Sequence, residues 1–158
     1  MTHSLVAFAF TAALLISSPA LADQAREQVL QKDCTQIVTI ISKMTDDPTV
    51  DCTPTKDGTK YAMLIVSGES QTDREDLKQR LFILSVGAVG YVLGDGNRAD
   101  LTDYCLADAV SLRDRKTYCM PIAKAVELQS ATKAGRIGAA DLPSKVSAAM
   151  QIRAIPKR

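Results

Sequence analysis

One histidine, at position 3, and no tryptophan leave this 158-residue chain short of the side chains that many enzymes and cofactor proteins rely on. If the leading segment that carries His3 is removed, no imidazole remains. Serine–histidine and cysteine–histidine nucleophile pairs are then excluded, as are histidine-bound zinc and a haem held by a protein histidine. Aromatic residues make up 4% of the chain, and those beyond the leader are Phe82, Tyr61, Tyr91, Tyr104 and Tyr118. So few rings provide no stacking platform for bases or sugars. Nor does one charge dominate. With 19 Lys+Arg against 18 Asp+Glu, the net charge of +1 gives no electrostatic reason to meet nucleic acid or an anionic membrane. The sequence holds no C-x-x-C, no glycine-rich phosphate loop and no N-x-S/T sequon around its lone asparagine, Asn97.

What is present is a chain 46% hydrophobic and 23% charged, of a length that suits one domain with its own core. Residues 1–22 read as a secretory signal peptide. The charge-free run 5–16 is broken by Ser17, Ser18 and Pro19, and Ala20-Leu21-Ala22 then supplies the small residues that a signal peptidase accepts. The segment before the run lacks Lys and Arg, so its positive charge comes from the α-amino group and His3. An uncleaved anchor is the alternative, because 5–22 approaches the length of a bilayer span. The A-x-A site and the polar Asp23-Gln24 beyond it favour cleavage after Ala22. The Ala-rich style is that of a bacterial export signal, which implies a periplasmic or secreted destination. The first cysteine, Cys34, lies too far from the cut for lipid attachment. The expected organisation is a signal peptide, 1–22, and a single disulfide-stapled helical domain, 23–158.

Cys34, Cys52, Cys105 and Cys119 all lie beyond the leader. Four cysteines in an oxidising compartment read as two disulfides, with three possible connectivities. Sequential pairing, Cys34–Cys52 and Cys105–Cys119, is favoured because each pair falls within one local unit. Loops of 18 and 14 residues would each stabilise the fold by roughly 3 kcal/mol on the chain-entropy account. A four-thiolate metal site would have to assemble from scattered positions and is disfavoured.

The mature pattern predicts an α+β, mostly helical fold: a compact bundle of about five helices around a central apolar helix, with one β-hairpin. In the first helix, 23–44, Leu30, Cys34, Ile37, Ile41 and Met44 form a stripe, and Asp23 is placed to cap it. The β-branched stretch 35–41 leaves a strand as the alternative for its second half. A hairpin follows over about 50–67, turning at Thr55-Lys56-Asp57-Gly58, with Pro54 marking its first arm as an edge. The central helix spans about 70–93, opened by a capping box at Thr72 and Glu75. Its charge-free stretch 81–94 is shorter than the roughly 20 residues a bilayer span needs, so burial among other helices is expected. Gly87 and Gly90 weaken that helix, and close approach of a neighbouring backbone would compensate. Three shorter helices are predicted over 99–112, 121–134 and 141–152, the last with Asp141 as N-cap.

Three stretches resemble chemistry. Asp95, Asn97, Asp100 and Asp103 around Gly96 are oxygen donors suited to calcium, but the spacing departs from the EF-hand and helix capping explains them better. Ser130-Ala131-Thr132-Lys133 matches S-x-x-K without the other motifs of that chemistry. Glu69, Asp73, Glu75 and Asp76 could supply an acid and a base, yet with Arg74, Lys78 and Arg80 nearby they read as a solvated helix start. No catalytic, cofactor or metal residue is assigned. The reading is a non-enzymatic, cofactor-free module that binds another envelope or secreted protein, of the inhibitor, toxin-immunity or envelope-stress and assembly type. The rival is a small hydrolase using carboxylates or Ser–Lys chemistry. A third reading is a carrier of a small apolar ligand, held in a gap that Gly87 and Gly90 open beside 81–93.

Overall fold

The computed structural model describes residues 19–45, 49–68, 75–94 and 99–155. In chain order the elements are α1 (Pro19–Thr45), β1 (Asp51–Asp57), β2 (Lys60–Ser67), α2 (Glu75–Leu93) and β3 (Leu101–Asp108). Then come α3 (Ala109–Arg113), β4 (Lys116–Pro121), α4 (Ile122–Lys133), α5 (Leu142–Ala149) and β5 (Gln151–Ala154). The strands form one five-stranded sheet in the order β1-β2-β3-β4-β5. The β2–β3 pair is parallel and the other three pairs are antiparallel. A parallel pair needs a crossover between its strands, and α2 supplies it.

The sheet overturns the expected helical bundle with a single hairpin. The segment expected to be a helix over 99–112 is β3 followed by the single turn α3. Residues 116–121 form β4, where the expected helix over 121–134 reached only the last position. The helix expected over 141–152 stops at Ala149, and β5 begins at Gln151. Leu101, Tyr104, Cys105 and Asp108 fit a helical period, but a short apolar run also fits a buried strand. What decides is the pairing of β3 with β2 on one side and β4 on the other, a condition that no local period contains.

Other expectations match the structure only in part. Leu30, Cys34, Ile37 and Ile41 are fully buried along α1, while Met44 is exposed. Asp23 lies inside that helix and does not cap it. Its carboxylate instead accepts from Lys56 Nζ at 2.7 Å, and this ammonium holds the Asp23 carboxyl below its usual range. The hairpin turns at Gly58 and Thr59, with φ 63° at Gly58, the positive value a tight hairpin turn demands. The capping box expected at Thr72 lies outside the described residues. At α5 the Asp141 side chain makes no capping hydrogen bond.

Helices α1, α4 and α5 all pack against α2, which is therefore central in a helical layer. A methyl group at Gly90 would stand 2.4 Å from Gln129 Cβ and 3.1 Å from the Ala125 carbonyl, so this glycine admits α4. The layer covers one sheet face. Tyr61, Met63 and Ile65 of β2, Tyr104 and Leu106 of β3 and Met120 of β4 join its core cluster. The alternate residues Ala62, Leu64, Val66, Cys105, Ala107 and Cys119 point to the opposite face, as a period of two requires.

Cysteines pair sequentially. Cys34–Cys52 ties α1 to β1, with sulfurs 2.04 Å apart, and Cys105–Cys119 joins opposed residues of β3 and β4, with sulfurs 2.06 Å apart. Two disulfides are consistent with an oxidising, extracellular or periplasmic environment. Among the described residues, no helix is long and apolar enough to cross a membrane.

Candidate functional site

The concave feature of most interest lies where the helical layer meets the end of the sheet. Register places Tyr118 of β4 opposite both Leu106 and Ile152, so Tyr118 and Ile152 face the helices. Above them stand Gln79, Phe82 and Ile83 of α2 and Pro143, Ser144, Val146 and Ser147 of α5, with Met150 at the close of that helix. Together they enclose a cleft of about 480 Å³. The Phe82 and Tyr118 rings lie 5.3 Å apart and tilted by 51°, within the centroid distance at which aromatic pairs attract. Ile152, on the outermost strand, is 66% exposed and forms the lip. Among the described residues the polar lining consists of hydroxyls and one amide, with no carboxylate, ammonium or guanidinium.

A buried polar contact holds the wall in place. Ser85 Oγ donates to the Phe82 carbonyl at 2.8 Å, which leaves it to accept from the Tyr104 hydroxyl at 3.3 Å. Met120 Sδ lies 3.9 Å from the same hydroxyl. Burial pushes the Tyr104 phenol well above its ordinary value. This group braces α2 against β3 and does not open to solvent, since Ser85 and Tyr104 are both fully buried.

A second cavity, of about 220 Å³, runs along α2 past Ile83, Val86 and Gly87 to Gln129, Thr132, Lys133 and Leu142. The two glycines of α2 therefore differ. Gly90 closes onto α4, whereas nothing lies within 4 Å of a methyl placed on Gly87.

The stretches that resembled chemistry do not converge on the cleft. Asp103 is a buried residue of β3 and not a helix cap, with Arg153 Nη1 donating to its Oδ2 at 2.6 Å. Asp100 sits in the turn before β3, where its carbonyl accepts from the Tyr61 amide. Asp95, Gly96 and Asn97 lie outside the described residues, as do Glu69 and Asp73. Glu75 and Asp76 begin α2. Ser130 and Lys133 are exposed positions of α4 and do not line the larger cleft, although Lys133 borders the second cavity. Among the described residues no group of acidic, cysteine or histidine side chains could hold a metal ion.

Sequence reasoning missed the cleft because its floor belongs to β4 and β5. A signal for β4 was available: Thr117-Tyr118-Cys119-Met120 is β-prone and ends one arm of a short disulfide loop. Comparisons with protein-family models, with curated proteins and with solved structures returned no match to this chain.

Proposed function

We propose that this protein is an exported, non-enzymatic module that binds another envelope or secreted protein, and that the cleft between α2, α5 and the end of the sheet is its contact site. Export follows from the 1–22 segment, with cleavage after Ala22 and a periplasmic or secreted destination. The observation that carries the binding reading is the lining of the cleft. Among the described residues its walls are apolar and aromatic, its polar lining is uncharged, and those polar groups can orient a guest without exchanging charge with it. Such a surface gains free energy by removing an apolar guest from water.

The test is retention of a partner from envelope extract by the immobilised mature chain, beside an Ile152→Glu variant. Ile152 is exposed, so the charge enters at the lip without disturbing the core. One dominant partner retained by the wild type and lost from the variant supports the reading. Retention of nothing across a range of salt concentrations overturns it.

One observation favours a second reading. A volume of about 480 Å³ also falls within the range of small-molecule sites, as a carrier of an apolar ligand would require. Native mass measurement on purified protein separates the two, because a carrier would weigh more than its chain.

A further inference from the structure

We propose that β5 accepts a short extended peptide segment of the partner as a sixth strand, with an apolar side chain of that segment entering the cleft. This rests on the protein-binding reading above and specifies how the partner is held.

The backbone of β5 carries the inference. The Ile155 amide donates to the Arg115 carbonyl at 2.8 Å, which makes that opposed pair a hydrogen-bonded one. In an antiparallel ladder such pairs alternate, so Arg153 and Gln151 also turn their backbone groups toward β4. The amides and carbonyls of Ile152 and Ala154 therefore point outward from the last strand of the sheet. An edge of this kind is completed by an extended backbone.

The other edge is closed to such pairing. In β1, the pair Asp57–Lys60 flanks the two-residue turn, so Cys52, Pro54 and Lys56 are the residues that face outward. Pro54, in the middle of that outward-facing row, has no amide to donate, which blocks strand addition. β5 contains no proline. Its one charged residue, Arg153, is held by Asp103 on the opposite sheet face.

Continuity between the edge and the cleft selects the guest. Ile152 is at once an outward-bonding residue of the edge and a lining residue of the cleft. A residue of the added strand lying opposite Ile152 would have its side chain on the helical side, about 5 Å away, beside Phe82 and Tyr118. Residues two positions away share that side, and intervening ones face solvent. The preferred segment is therefore extended, short and apolar at alternate positions.

The experiment selects binders for the mature chain from displayed random short peptides, then uses one enriched peptide, synthesised, as the probe. Enriched sequences should be apolar at alternate positions, and the probe should slow amide exchange at Ile152 and Ala154. Ala154→Pro removes an outward amide without breaking the ladder to β4, and should weaken binding about tenfold or more; Ala154→Val should not. No enrichment, protection at other amides, or equal binding by Ala154→Pro would each overturn strand addition. If Ala154→Pro fails to fold, the exchange pattern of the wild type decides alone. An envelope partner that is lost by Ile152→Glu but retained by Ala154→Pro would overturn strand addition while leaving the protein-binding reading intact.

Discussion

Asp103 on β3 and Arg153 on β5 are joined across the intervening strand β4 by a hydrogen-bonded ion pair of 2.6 Å. Asp103 is 9% exposed, so its carboxylate depends on this partner for much of what water would otherwise supply. Replacing Arg153 with Ala should cost about 1–2 kcal/mol, a range lowered for the partial exposure of the guanidinium. Thermal unfolding of Arg153→Ala should show the loss, and Asp103→Asn with Arg153→Ala should recover part of it. A melting temperature equal to that of the wild type would show that the pair contributes nothing.

The disulfides are expected to matter more than any surface contact. Removing either pair by Ser substitution should cost roughly 3 kcal/mol on the chain-entropy account. Alkylation of the unreduced protein should label no cysteine, and peptide mapping should recover Cys34 with Cys52 and Cys105 with Cys119. Crossed pairs would contradict the register of β3 with β4.

Two glycines of one helix should respond oppositely to the same change. Gly87→Ala meets open space and gains helix propensity, so it should stabilise by about 0.5–1 kcal/mol. Gly90→Ala drives a methyl to 2.4 Å from Gln129 Cβ and should destabilise by about 1–3 kcal/mol. Denaturation midpoints measured side by side test both signs.

The buried tyrosines make a further contrast. Among the described residues the buried Tyr61 hydroxyl has no hydrogen-bond partner, so Tyr61→Phe should be at least as stable as the wild type. Tyr104→Phe forfeits the contact to Ser85 and should cost about 1 kcal/mol near neutral pH. Burial raises the Tyr104 phenol, so the folded state keeps its proton where the unfolded chain has begun to lose it. That contribution is full below the ordinary tyrosine value of about 10 and is lost as pH rises beyond it. Stability measured across the alkaline range should fall less steeply in Tyr104→Phe than in the wild type.

Export makes a prediction of its own. Protein taken from its native cells should begin at Asp23, and an intact mass retaining Met1 would refute cleavage after Ala22.

Much of the first half of the fold could be read from local pattern. The stripe from Leu30 to Ile41, the hairpin around Gly58 and the apolar helix ending at Leu93 each carry their own period or turn chemistry. The second half could not be read in that way. Leu101, Tyr104 and Cys105 satisfy a helical spacing, and only a partner strand on each side makes them β3. Ile152 was hidden because β5 is four residues long and follows a true helix with a single residue between. The cleft inherits that difficulty, since Tyr118 and Ile152 become neighbours only through strand register. The cysteine pairing was legible because short loops favour sequential partners, and the strand opposition of Cys105 and Cys119 agrees with it.

Each cross-link closes within its own half of the chain, and neither spans the helix α2 that lies between them. Oxidation of one half therefore needs no knowledge of the other. Among the described residues the two halves are held to each other by side-chain packing, the β2–β3 ladder and hydrogen bonds such as Thr102 Oγ1 to the Tyr61 carbonyl, with no disulfide between them. A single protease cut between Cys52 and Cys105 should yield two looped fragments that stay associated in buffer and drift apart in urea with no reductant added.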